Sequence, residues 1–215
     1  MKIRSVCFDM DGTLIRNTDS VRYLCGLNNN IGPLRNIERL ENEQQITWIE
    51  ADYRKAELIK WLETEKIEYM FDDNIKLINN IEIVLTYLKE NQIRTALVTA
   101  GPCQVADILK MRYDFDDVRA STYEVKKGRF TGKILTHLGN IGKHNIVEQL
   151  CREYSVKPDD WVAIGDSESD IEVFKMCAKS IAINYSNVLE GKASKYFRTD
   201  DLSDIIDTLR DWITE

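Results

Sequence analysis

The segment VCFDMDGTL, residues 6–14, decides the fold prediction, because an apolar run ends there in two carboxylates separated by one residue. In extended chain, residues two apart point to the same side, so Asp9 and Asp11 face one way and Met10 faces the other. Two unit charges about 4 Å apart repel by about 4 kcal/mol at an effective dielectric of about 20. Such a pair at the end of a core strand indicates a bound cation or proton. An ordinary Asp-Gly turn is the alternative, and it leaves Asp9 unexplained.

Length and composition limit the protein class. The chain has 215 residues, 43% of them hydrophobic and 30% charged, which suits one full domain with a smaller insertion. Its net charge of −7 argues against a nucleic-acid partner. We expect no signal peptide and no membrane association, since no apolar run approaches the length of a membrane span. Five scattered cysteines without a CxxC pair indicate reduced thiols and a cytoplasmic protein, expected as a monomer or homodimer.

Most of the chain alternates short apolar runs with helical patterns. Residues 3–8, 93–98, 161–164 and 179–183 have the length and β-branched content of buried parallel strands. Helical spacing of apolar residues follows, from Ile146 to Tyr154 and from Leu202 to Ile213. Strand–helix alternation predicts an α/β fold built on a doubly wound parallel sheet.

Residues 16–75 interrupt this alternation. The segment lacks a good strand and is rich in Glu, Lys, Ile and Leu, with the turn signal NNNIGP at residues 28–33. We interpret it as a small helical domain inserted into a core made of residues 1–15 and 76–215. An insertion directly after the first strand would stand above the strand ends, where α/β proteins bind ligands. The alternative is that these helices extend the main helical layer.

A second acidic cluster, AIGDSESD at residues 163–170, also follows an apolar strand. Because neighbouring parallel strands end at the same edge, Asp166 is expected close to Asp9 and Asp11. Clustered carboxylates without Cys or His suit Mg²⁺. The alternative for this segment is a solvated helix start, and Glu168 and Asp170 could serve only that purpose.

Two further segments complete a possible phosphate site. In LVTAGP, residues 97–102, a strand end and a turn precede Pro102 at a predicted first helical position, so Thr99 and the amides from Ala100 onward could hold an anion. Lys143 begins another helix, where a cation opposes the helix dipole. The alternative for Lys143 is an exposed lysine, and the alternative for residues 99–101 is a common Thr-x-Gly turn. Nearby negative charge would explain the position of Lys143.

These four motifs, in this order, resemble those of the haloacid dehalogenase superfamily. The matching elements are DxDGTL, a Thr after an apolar strand, a Lys at a helix start, and GDxxxD, spread over residues 3–170. The presence of the second aspartate, Asp11, is a resemblance to the phosphatase and phosphotransferase branches of that superfamily. The helical insertion and the hairpin-like segment YEVKKGRFTGKI, residues 123–134, are most similar to the phosphoserine phosphatase branch.

The resemblance implies a role for each motif residue. Asp9 would attack phosphorus and carry a transient aspartyl-phosphate, and Asp11 would act as the acid and then the base. The Asp9 side chain, the Asp11 backbone carbonyl and Asp166 would hold Mg²⁺. The remaining roles concern support and phosphate binding: Asp170 would orient the metal ligands, and Thr99 and Lys143 would bind the phosphoryl oxygens. The insertion would close as a cap over a small phosphorylated metabolite.

Substrate recognition is where the chain departs from the phosphoserine branch. Members of that branch resemble one another in a cap glutamate nine residues after the nucleophile, and this chain has Thr18 there, beside an Asp19 that we expect to point elsewhere. Arg54 is the candidate for the cap arginine that binds a carboxylate, with a solvated helix cation as the alternative. The Gly-Gly of the family is Ala100-Gly101 here, and its Asn before the last aspartate is Ser169.

Three functions fit the sequence. The first is a Mg²⁺-dependent phosphatase that acts on a small, phosphoserine-like phosphate monoester. The second is a phosphotransferase or mutase with the same four motifs. The third is a non-catalytic, phosphate-binding regulatory protein, which the intact set of Asp9, Asp11, Lys143 and Asp166 disfavours.

Overall fold

The computed structural model describes residues 2–214, so the predicted domain bounds at residues 1 and 215 lie outside the described part. Seven strands within that part form one sheet in the order β4-β3-β2-β1-β5-β6-β7. The strands are β1 (Ser5–Phe8), β2 (Arg94–Pro102), β3 (Asp117–Lys126), β4 (Arg129–Thr136), β5 (Trp161–Gly165), β6 (Lys179–Ile183) and β7 (Lys195–Phe197).

The central strand β1 pairs in parallel with β2 on one side and with β5 on the other. Phe8, the last residue of β1, lies opposite Leu97 and Ile164. This register carries the residues that follow these positions to one edge of the sheet. Asp9, Thr99 and Asp166 therefore meet there, as the sequence predicts.

Helices cover both faces of the sheet. They are α1 (Ser20–Leu27), α2 (Ile31–Asn42), α3 (Trp48–Leu58), α4 (Glu65–Tyr69), α5 (Phe71–Asn74), α6 (Ile81–Glu90), α7 (Cys103–Tyr113), α8 (Leu138–Ile141), α9 (Lys143–Tyr154), α10 (Ile171–Met176) and α11 (Ile206–Thr214). Phe8 packs into the apolar cluster that contains α6, α7 and α11, whereas the neighbouring Cys7 packs into the cluster with α9 and α10. This alternation confirms the doubly wound fold.

The inserted helices α1–α5 are reached through two chain segments that lie side by side. Arg16 N–H donates to the Lys76 carbonyl at 2.8 Å, and Ile78 N–H donates to the Leu14 carbonyl at 2.8 Å. Ile15 also forms an antiparallel bridge with Leu77. The chain therefore leaves and re-enters the sheet domain at one place, beside the carboxyl end of β1.

Several element boundaries differ from the predicted ones. Strand β1 begins at Ser5 rather than at residue 3, and β2 continues to Pro102. Pro102 is therefore the N-cap residue of α7 and not its first helical residue. The predicted hairpin is β3 with β4, an antiparallel pair at the edge of the sheet. Within residues 2–214, no helix is long and apolar enough to cross a membrane.

Candidate active site

Asp9 and Lys143 form a buried ion pair at the carboxyl end of β1. Lys143 Nζ lies 2.6 Å from Asp9 Oδ1 and 2.8 Å from Asp170 Oδ1, and the three side chains are 4–6% exposed. Burial alone would lower the pKa of Lys143, but the charges of Asp170 and Asp9 raise it above its usual range. The lysine is therefore a fixed cation beside the Asp9 carboxylate, and its burial overturns the exposed-lysine alternative.

Asp170 supports the site from the 3-10 turn that precedes α10. Its Oδ2 accepts hydrogen bonds from the backbone N–H groups of Asp166 at 3.0 Å and Ser167 at 3.2 Å. With Oδ1 paired to Lys143, both oxygens of Asp170 have partners. Asp170 is thus more than a helix cap, because it fixes the loop that carries Asp166 and also orients the lysine.

Asp9, Asp166 and Asp170 have carboxylate oxygens within 4.8 Å of one another, close enough to hold a metal ion. Burial raises the pKa of Asp166 to about 9, with further contributions from the charges of Asp9 and Asp170. The group therefore requires a proton or a cation near neutral pH. An all-oxygen donor set fits a hard cation such as Mg²⁺.

The Asp11 carboxylate is turned towards the inserted helices and away from this metal group. Its Oδ1 accepts the Ser20 backbone N–H at 2.7 Å, and its Oδ2 accepts the Ser20 hydroxyl at 2.6 Å. Burial raises the pKa of Asp11 to about 8, and the charge of Asp19 adds to the effect while Ser20 opposes it. A carboxyl group that keeps its proton near neutral pH is suited to general acid catalysis. The Asp11 carboxylate is not part of the group of three carboxylates that could hold a metal ion.

The last residues of β2, where its pairing with β3 is irregular, form the opposite side of the site. Thr99 accepts the Gly101 N–H at 3.0 Å on its hydroxyl oxygen, which leaves the hydroxyl hydrogen free to donate towards the cleft. Thr99 and Ala100 both line the cleft, as does Ser169 on the side of β5. The cleft thus brings together positions for which the sequence predicts phosphate or substrate binding.

The cleft has a volume of about 260 Å³ and extends from Asp9 to the inserted helices. In the described part of the chain, the inserted region contributes Asp19, Val21, Glu41, Asp52 and Lys55 to its wall. Lys55 Nζ lies 2.8 Å from Glu41 Oε2 and 3.6 Å from Asp52 Oδ1. This wall, which we call the cap wall, therefore presents one ammonium group among carboxylates.

Two residues predicted to bind the substrate, Arg54 and Thr18, do not line the cleft. Arg54 is 46% exposed and pairs with Glu50 at 2.7 Å on the outer side of α3, while Lys55 occupies the inner side. Thr18 donates its hydroxyl to the Asp19 carbonyl at 3.3 Å, and Asp19, which we expected to point elsewhere, lines the cleft. Asp19 also accepts the Arg22 N–H at 2.7 Å as the N-cap of α1. Its position directly before a helix predicts this capping role, but no sequence signal places it in the cleft.

The comparisons with known proteins agree with this geometry. The family of haloacid dehalogenase-like hydrolases matches residues 6–175. A phosphoserine phosphatase of Archaeoglobus fulgidus is 28% identical over 210 residues, which are 96% of this chain and 60% of that protein. The phosphoserine phosphatase of Methanocaldococcus jannaschii is 26% identical over 208 residues, which are 95% of this chain and 97% of that protein.

A solved structure confirms the fold class. A substrate-bound phosphoserine phosphatase complex superposes with a TM-score of 0.84 at 24% identity, covering 97% of this chain and 99% of the other. The matched region from residue 6 to residue 175 contains Asp9, Lys143 and the metal group. This chain belongs to the haloacid dehalogenase-like hydrolase family.

Proposed function

We propose that this protein is a Mg²⁺-dependent phosphatase that hydrolyses a small, phosphoserine-like phosphate monoester through an aspartyl-phosphate on Asp9. The observation that carries the proposal is that Asp9 and Asp11 lie in different surroundings, which suit a nucleophile and a general acid respectively. Asp9 is paired with a buried lysine at 2.6 Å, and Asp11 is held by Ser20 with a pKa raised by burial. The phosphoserine phosphatase relatives and the hydrolase family support a phosphoric monoester hydrolase.

In the first step, an Asp9 oxygen forms a bond to phosphorus as the bond between phosphorus and the leaving oxygen breaks. Asp11 gives its proton to that oxygen, so the leaving group departs as an alcohol. In the second step, Asp11 takes a proton from a water molecule that attacks the phosphorus of the aspartyl-phosphate. Phosphate is released, and both aspartates return to their starting states.

The remaining residues of the site would bind the phosphoryl group and the metal ion. Lys143 and the Thr99 hydroxyl would bind the non-bridging phosphoryl oxygens and stabilise their charge, which is the main requirement of phosphoryl transfer. Asp9, Asp166 and the Asp11 backbone carbonyl would hold Mg²⁺, with Asp170 orienting the arrangement. When bound, Mg²⁺ supplies positive charge that stabilises the phosphoryl oxygens.

The cap wall supports a leaving group that carries both signs of charge. Lys55 can pair with an anionic group of the substrate, and Asp19 offers an acceptor for an ammonium group. We propose residues 16–75 as a cap that closes over the core formed by residues 1–15 and 76–215. We also propose a cytoplasmic location, which is consistent with free thiols at Cys7, Cys25, Cys103, Cys151 and Cys177.

The test is a phosphate-release screen over phosphorylated metabolites, with and without Mg²⁺, beside the Asp9→Asn variant. We expect Mg²⁺-dependent release that Asp9→Asn abolishes, with phosphoserine among the substrates. Release that is undiminished in Asp9→Asn, or no release under any condition, would contradict the proposal. Transfer of the phosphoryl group to a sugar hydroxyl instead of water would identify a phosphotransferase.

A further inference from the structure

His137 lies at the contact between the sheet domain and the inserted helices. It follows β4 in the chain, six residues before Lys143, and its side chain is fully buried. Its Nε2 lies 3.0 Å from Asp52 Oδ2 on helix α3. The proposed mechanism gives this buried, nucleophilic side chain no role.

The hydrogen bonds of His137 define which ring nitrogen donates and which accepts. The Gly139 backbone N–H donates to His137 Nδ1 at 3.0 Å, so Nδ1 is an acceptor. A neutral imidazole then carries its hydrogen on Nε2, which donates to the Asp52 carboxylate. One ring nitrogen therefore holds the loop of the sheet domain, and the other holds the inserted helix α3.

Aromatic side chains of α3 hold the imidazole in place. The His137 ring lies 5.6 Å from the Tyr53 ring in a stacked arrangement and 5.4 Å from the Trp48 ring. A Cβ atom added at Gly139 would overlap the Trp48 ring. Asn140 also donates to the Tyr53 hydroxyl at 3.0 Å. Helix α3 thus contacts the sheet domain closely over the loop that leads to Lys143.

Asp52 connects this contact to the cleft. Its Oδ2 accepts from His137, while its Oδ1 faces Lys55 Nζ at 3.6 Å. Lys55 is 12% exposed and lines the cleft, so its ammonium group is placed by Asp52 together with Glu41. A charge placed by two carboxylates loses its orientation when one of them is free to rotate.

We propose that His137 is a positioning residue for substrate recognition, which holds Asp52 and through it Lys55 in the cleft when the inserted helices rest on the sheet domain. The inference rests on the proposed phosphatase activity. It makes recognition of the leaving group depend on the contact between His137 and Asp52, which requires the inserted helices to rest on the sheet domain. Chemistry at Asp9 does not depend on this contact.

Two substitutions separate the two hydrogen bonds of His137. His137→Asn retains an acceptor at the position of Nδ1, which preserves the loop, and loses the donor to Asp52. His137→Gln retains a donor near the position of Nε2 and restores the bond to Asp52. Both replace the imidazole ring by an amide, so both lose the ring contacts with Trp48 and Tyr53.

Kinetics form the first part of the test. We expect His137→Asn to raise KM for phosphoserine about tenfold, the size expected for one hydrogen bond to a charged group, with kcat nearly unchanged. His137→Gln should restore KM to within about threefold of the parent protein. With p-nitrophenyl phosphate, whose leaving group carries no ionised carboxylate or ammonium group, both variants should match the parent protein. Equal losses in the two variants, or equal losses on both substrates, would overturn the inference.

Amide hydrogen exchange in the full, substrate-free chain forms the second part. We expect faster exchange of Trp48–Leu58 in His137→Asn than in His137→Gln, at matched global stability. Unchanged exchange in His137→Asn would refute the contact itself. If no phosphatase activity is found, the proposed function fails, whereas the exchange result still shows whether His137 holds α3.

Discussion

Gly12 offers the sharpest test of how the site is built. It lies in the turn between Asp11 and Thr13, with φ of +82°, a region that residues with a side chain rarely adopt. A Cβ atom at this position would lie 2.5 Å from Cγ of Asp166. Gly12→Ala therefore introduces backbone strain and a steric clash with a proposed metal ligand.

The two effects have different expected magnitudes. The left-handed conformation costs a non-glycine residue about 1–2 kcal/mol of folding free energy. Ordinary contacts begin at 3.4 Å, so the Asp166 carboxyl carbon must move by about 0.9 Å. Misplacement of a functional group by about 1 Å can lower the rate about 100-fold. We therefore expect a small loss of stability and a large loss of kcat/KM and of Mg²⁺ affinity.

Gly128 supplies the matched control. It has φ of +73°, and a Cβ atom there would meet nothing within 4 Å. Gly128→Ala should thus lose a similar free energy of unfolding, measured by denaturant titration, while keeping its activity. Comparison of phosphate release and Mg²⁺ titration in the two variants isolates the clash with Asp166.

Three results would refute this reasoning. Gly12→Ala with the activity and Mg²⁺ affinity of Gly128→Ala would show that Asp166 need not occupy its observed position. A far larger loss of folding free energy in Gly12→Ala would show that the turn has a mainly structural role. Activity that is lost without a change in Mg²⁺ affinity would assign the damage to Asp11 instead.

Three further predictions concern the neighbouring groups. Because the Ser20 hydroxyl lowers the raised pKa of Asp11, Ser20→Ala should move the alkaline limb of the kcat/KM profile for phosphoserine to higher pH, and a shift to lower pH would contradict this role. The raised pKa of Asp166, about 9, means that the metal-free protein loses stability as pH rises from about 4 to about 9. Mg²⁺ should therefore raise Tm more at about pH 9 than at about pH 6, and an equal rise in Asp166→Asn would refute the site. Lys55→Ala should raise KM for phosphoserine at least about tenfold, whereas Arg54→Ala, which removes only an exposed ion pair, should leave KM unchanged.

Most of the fold could be predicted from local patterns. Buried parallel strands are short apolar runs, and the alternation of these runs with helical spacing specifies a doubly wound sheet. The family motifs at Asp9, Thr99, Lys143 and Asp166 could be identified because each follows a predicted strand or begins a predicted helix. Strand ends were less predictable, since β2 continues to Pro102 through an irregular pairing with β3.

The cap wall was the least predictable part of the site. Arg54 and Lys55 are adjacent in the chain, and helix geometry points them in directions about 100° apart. Sequence spacing does not say which of the two faces the cleft. The packing of α3 against His137 decides it, because Asp52 and Lys55 then lie on the inner side, as their spacing of three residues allows.

The sequence alone determined the architecture and the family, and it led to the proposed chemistry, because all three depend on short motifs that are recognisable within a few residues. A carboxylate pair after a core strand needs a cation or a proton wherever that strand lies. Tertiary structure decided which side chains line the proposed substrate cleft. Asp19, Asp52 and Lys55 line one cleft with Asp9 and Asp11 only because the two connecting segments bring α1 and α3 over the end of β1. Contacts between distant parts of a chain leave no local pattern in its sequence.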